Sequence, residues 1–169
     1  MKKTLFSFTI IIILTLNFSK IAMADSYKEK VLSRLILKIS NYVEWENKKD
    51  NQVNLCSYGL DNISYHLDKE IGINLNNVTI IQNAKIDKLS ECNILYIPKN
   101  KESDLALVLD KIKDKSILTI SNIENFVSKG GMFEIYFTRN NNIEIYANSQ
   151  YIKNNNIKIK YQLRNIINY

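Results

Sequence analysis

The sequence predicts an α/β domain with a mostly parallel central sheet of about six strands, helices on both faces and a C-terminal β-hairpin. Short β-branched runs alternate with amphipathic helical stretches from residue 27 to residue 126, a pattern that needs helical crossovers between parallel strands. After Gly130-Gly131 the pattern changes to two alternating segments around Arg139-Asn140-Asn141-Asn142, which places antiparallel strands at one side of the sheet. No repeat and no linker interrupts the chain, so a single domain is expected.

Residues 27–45 are expected to be the first helix. Val31, Leu35, Ile39 and Tyr42 or Val43 recur at helical spacing, with Lys30, Arg34, Lys38 and Asn41 opposite them. Val53 to Tyr58 alternates and stops at Gly59, as a strand does. Asp61 or Asn62 can cap a short helix carrying Ile63, Leu67 and Ile71, with Gly72 as its stop. Val78 to Ile81 and Cys92 to Ile97 are the second and third strands, and Pro98 ends the latter. Ser103 or Asp104 is expected to cap a helix buried through Leu105, Val108, Leu109 and Ile112. Ile117 to Ile120 is the fourth strand, followed by a short helix holding Ile123 and Phe126. In the hairpin, Phe133, Ile135 and Phe137 share a face, as do Ile143, Ile145 and Ala147. A final helix is expected through Ile159, Leu163 and Ile166 or Ile167.

The N-terminus resembles a secretory signal peptide. Lys2-Lys3 precedes an apolar stretch from Leu5 to Leu16, and Ala22-Met23-Ala24 supplies a cleavage motif, so cleavage is expected after Ala24. The rival reading, an uncleaved anchor, is disfavoured because the stretch falls short of the roughly 20 residues that span a bilayer. Cleavage removes 24 of the 169 residues and leaves 145; Lys2, Lys3 and Lys20 go with them, so the net charge falls from +6 to +3. The remaining lysines are scattered among acidic residues and form no stripe for a phosphate backbone, which excludes nucleic acid as the expected partner. The mature chain, residues 25–169, is not expected to span a membrane.

Candidate chemistry is sparse. His66 is the only histidine and has no nucleophile motif beside it. Glu44 and Glu46 flank Trp45 at i, i+2, a spacing that sends side chains to different sides of a helix. Gly130-Gly131 follows a helix and precedes a strand, the reverse of a phosphate loop, so it reads as a helix stop. Cys56 and Cys92 are the only cysteines, and in an oxidising compartment the default is one disulfide between them. Neither a cofactor nor a metal is expected.

The chain resembles the YfiR-like family of periplasmic proteins. The resemblance rests on Tyr42-Val43-Glu44-Trp45, Leu55-Cys56-Ser57-Tyr58-Gly59 and Cys92-Asn93-Ile94-Leu95-Tyr96-Ile97. Ile117-Leu118-Thr119-Ile120-Ser121, Phe126 with Gly130-Gly131-Met132, and Ile143-Glu144-Ile145-Tyr146-Ala147-Asn148 follow in order. It implies a non-enzymatic α/β domain that restrains an inner-membrane diguanylate cyclase through that enzyme's periplasmic sensor portion, lowering cyclic di-GMP and biofilm output. Cys56 and Cys92 match the family's widely shared cysteine pair. Three departures stand out: Glu46 where the family often has Pro, Asn93 where it often has His, and no counterpart of the additional cysteine pair that the family's best-known member has nearer the C-terminus. The last makes a structural role the expectation for Cys56–Cys92.

The leading expectation is therefore a periplasmic regulatory binding protein with a partner surface at Tyr42, Glu44 and Trp45 or on the hairpin. A homodimer is a further expectation. The alternatives are a small-molecule-binding protein, with a pocket after Tyr58 and Ile97 where parallel strands end, and a hydrolase built around His66.

Overall fold

A computed structural model describes residues 26–44, 52–69 and 77–168. The expected signal peptide, Trp45 with Glu46, and the Ile71-Gly72 helix end lie outside those residues.

Helix α1 spans residues 26–40 and leads into β1 (Val43–Glu44) and β2 (Val53–Ser57). Then come α2 (Asn62–Lys69), β3 (Val78–Ile81), β4 (Ile94–Ile97) and α3 (Leu105–Lys111). Strands β5 (Leu118–Ser121), β6 (Phe133–Phe137) and β7 (Ile143–Ala147) precede α4 (Ser149–Asn154), β8 (Lys158–Ile159) and α5 (Tyr161–Arg164).

The central sheet has the order β3-β2-β4-β5-β6-β7. Every pairing is parallel except β6 with β7. The expected hairpin faces are present: Phe133 lies opposite Ala147, Ile135 opposite Ile145 and Phe137 opposite Ile143. Strands β4 and β5 are buried at every residue, the signature of parallel strands covered on both sides.

Alternate residues of each strand serve two cores. Leu55, Ile94, Tyr96, Leu118 and Ile120 pack under α1, α2 and the C-terminal segment. Cys56, Leu95 and Ile97 face the other way, toward Leu105 and Val108 of α3, with Ile123 and Phe126. Truncating one of these fully buried aliphatic side chains to Ala costs about 2–5 kcal/mol.

The structure corrects several expectations. Helix α1 stops at residue 40 and buries Leu32, Ile36 and Ile39, leaving Val31 and Leu35 only half-buried. A turn at Asn41-Tyr42 follows, and Val43 extends to pair with Ile159. Pairing with a distant strand outweighs the local helical period there. Neither Ser103 nor Asp104 caps α3, because a 3-10 stretch from Lys99 to Asp104 runs straight into it.

Ile123 and Phe126 sit on successive turns and not on a helix, since Asn125 adopts a φ of 58°. Gly130 and Gly131 act as expected: Gly131 N–H donates to Phe126 O and Gly130 N–H to Val127 O, with Gly130 at a φ of 97°. The C-terminal helix is instead α4, β8 and α5. Asn148 caps α4 by accepting from Tyr151 N–H at 3.0 Å. Asn156 stops α4 at a φ of 56°, with Ile157 N–H donating to Ile152 O and Asn156 N–H to Lys153 O. Ile159, Leu163 and Ile167 are still buried, but from three separate segments, and Ile166 is exposed.

Candidate functional site

Strands β1 and β8 form a small antiparallel sheet of their own, with Val43 opposite Ile159 and Glu44 opposite Lys158. Lys160 clamps it twice: its N–H donates to Tyr42 O at 2.8 Å, and its Nζ donates to Asn41 O at 2.9 Å. Of the expected partner surface, Tyr42 is half-buried and Glu44 is exposed. The fold brings C-terminal residues to that surface which sequence spacing does not join to it. Tyr161, the most exposed large apolar side chain among the described residues at 73%, starts α5 directly after Lys160. Glu44 and Lys158 make a cross-strand pair of opposite charge.

A cavity of about 720 Å³ adjoins β8, walled by Ile152, Ile157 and Ile159 and rimmed by Lys153, Lys158 and Arg164. Arg164 Nε donates to Ile159 O at 3.1 Å, which orients the guanidinium at that rim. An apolar wall with cations around it favours an apolar group bearing negative charge. The three cations come from α4, β8 and α5, so no local motif announces them.

At the edge after Tyr58 and Ile97, expected to hold a pocket, several polar side chains bond to one another. Tyr96 donates its hydroxyl to Asp61 Oδ2 at 2.8 Å, and Asn122 Oδ1 lies 3.2 Å away. Burial first, and then the Asp61 carboxylate, raise the Tyr96 hydroxyl well above its ordinary pKa. Asp61 also caps α2 reciprocally: Ser64 N–H donates to Asp61 Oδ1 and Asp61 N–H to Ser64 Oγ, both at 2.8 Å. Lys101 lies over Gly59, so close that a Cβ there would stand 2.9 Å from its Cγ and Cε. Tyr96, Asp61, Asn122 and Ser64 at this edge thus already meet one another.

His66 stands edge-on to Tyr65 at 5.9 Å. Among the described residues, no three His, Cys, Asp or Glu side chains are placed to hold a metal ion, and no helix is long and apolar enough to cross a membrane.

Compared with known protein families, residues 29–166 match the YfiR/HmsC-like family. The chain belongs to the YfiR/HmsC-like family. A search of curated proteins gives no match. The family acts in the regulation of diguanylate cyclases and is periplasmic, regulatory and in general terms non-catalytic.

In this YfiR/HmsC-like chain, Cys56 and Cys92 form a disulfide across a sequence separation of 36, with Cα atoms 5.8 Å apart. It fits an oxidising compartment. Cys56 is fully buried on β2 and Cys92 is 3% exposed just before β4, so the bond is shielded from solvent. Asn93, at the position where the family often carries His, joins the same two strands. Its Oδ1 accepts Asn54 N–H at 2.8 Å, and its backbone N–H donates to Asn54 O.

Proposed function

We propose that this protein is a periplasmic regulatory binding protein that restrains a membrane-bound diguanylate cyclase by docking on its periplasmic sensor portion. The acting form is residues 25–169, released by cleavage after Ala24. Family membership supports the regulatory class, and one observation supports the location of the surface. The β1–β8 sheet gathers Tyr42, Glu44 and Tyr161 beside a cation-rimmed cavity, although they come from opposite ends of the chain. Trp45 completes this proposed surface from the sequence side.

A binding protein inhibits by preferring the inactive state of its target, so this surface has to fit the resting sensor better than the active one. The test is capture of membrane proteins by the exported protein from detergent-solubilised membranes of its own host. A captured protein with a periplasmic sensor and a cytoplasmic cyclase domain supports the proposal. Capture of none, with and without reductant, overturns it. A homodimer is part of the proposal and is tested by sedimentation of the purified protein.

A second reading, a small-molecule-binding protein, is favoured by the cavity itself, whose 720 Å³ lies within the range of about 300–1,000 Å³ for ligand pockets. It moves the expected ligand away from the strand ends and onto β8.

A further inference from the structure

A second cavity, of about 410 Å³, opens beside the C-terminal end of α3, and helix α4 separates it from the cavity described above. Its floor is apolar and comes from Leu109, Ile112, Ile117 and Met132. Its rim carries both signs of charge: Asp110 and Asp114 alternate with Lys113. These three side chains are exposed and make no hydrogen bond or ion pair among the described residues. Lys129, the fourth charged group there, is already held by Glu102 at 2.6 Å and Glu124 O at 2.9 Å.

The remaining wall is Tyr151 with Asn154 and Asn155 of the α4 end. Tyr151 is 46% exposed, and its hydroxyl lies 3.5 Å from where a Gly130 Cβ would stand, with Leu109 Cδ1 at 3.6 Å. The absence of a side chain at Gly130 therefore keeps open the space between Leu109 and Tyr151.

A lining of one charge sign would select a counter-ion. Here unpaired carboxylates, an unpaired ammonium and two carboxamides surround an apolar floor and the apolar body of a tyrosine. The matching ligand is neutral overall, presents several groups that both donate and accept hydrogen bonds, and has one apolar face. We infer that this cavity binds a saccharide, the polyhydroxylated ring meeting Asp110, Lys113 and Asp114 at its edge and Tyr151 on its face. The site is independent of the regulatory reading.

The test is a titration of the purified, isotope-labelled protein with cellobiose and with diacetylchitobiose, followed by amide NMR shifts, with hexylamine as an apolar cation for comparison. The expected result is saturable movement of the Thr119, Gly130 and Asn155 amides by at least one disaccharide. Tyr151→Ala and Asp114→Asn should each weaken that binding about tenfold, with an unchanged urea midpoint. Asn suits position 114 because its φ of 61° is a left-handed conformation that Asn tolerates. Asp110→Asn is a second variant with ordinary backbone demands. Failure of both disaccharides to move these amides overturns the inference. So does binding that survives the substitutions, or titration by hexylamine alone, which would make the cavity a cation site.

Discussion

The Asn93 carboxamide oxygen accepts the Asn54 backbone N–H at 2.8 Å, one residue after Cys92 and two before Cys56. The Asn54 carboxamide answers by donating to Glu91 O at 2.8 Å. Strand β2 is thereby fastened to the approach of β4 by a covalent bond and by reciprocal side-chain hydrogen bonds, within a few residues of each other.

Asn93→Ala removes an acceptor from a half-buried backbone donor and should lower stability by about 1–3 kcal/mol. Urea denaturation at neutral pH measures it. A variant as stable as the natural chain would show that water replaces the carboxamide without loss.

Breaking the disulfide should cost about 3–4 kcal/mol, because the bond closes a loop of 36 residues in the unfolded chain. The expected signature is a lower urea midpoint for the Cys56→Ala, Cys92→Ala double variant. Burial of both sulfur-bearing residues further predicts that reductant acts on the folded protein only as fast as it opens, so thiol trapping in native buffer should be slow and should accelerate in urea. Rapid trapping in native buffer would instead mark a bond exposed for redox exchange.

Tyr96 sets an alkaline limit to stability. Its hydroxyl pKa is raised in the folded state, by burial first and Asp61 second, above the ordinary value of 10.0. Its contribution is therefore fully present below that ordinary value and is lost as pH rises above it, where the unfolded chain releases the proton and the folded chain keeps it. Tyr96→Phe should make the fall in stability above about pH 10 shallower, and should lower stability at neutral pH by about 1 kcal/mol through the lost bond to Asp61. Denaturation midpoints across the alkaline range, compared between the two proteins, decide it.

Tyr161→Ala separates partner binding from folding. At 73% exposure the side chain contributes little to the core, and the expected stability change lies within about 0.5 kcal/mol. Capture of the membrane partner should weaken while the urea midpoint stays in place. Unimpaired capture by Tyr161→Ala would remove this residue from the proposed surface.

The sequence by itself determined the parallel sheet and its order of elements, because apolar runs such as Ile94 to Ile97 and the alternation of Phe133, Ile135 and Phe137 record burial directly. It also determined the stops: Gly130 and Asn141 occupy left-handed conformations that other residues resist. The two lone cysteines pointed to their own pairing. Contacts between distant segments were decided only by the tertiary structure. Val43 reads as one more turn of a helix until Ile159 offers it a ladder, and a chain of apolar residues at helical spacing from Ile159 to Ile167 breaks up because Asn156 and the β1 edge impose a strand first. The candidate site follows the same rule. Tyr42 and Glu44 were visible in the sequence, whereas Lys153, Lys158, Tyr161 and Arg164 joined them only through folding, since hydrogen-bonded pairing of two short strands leaves no periodic trace in either one.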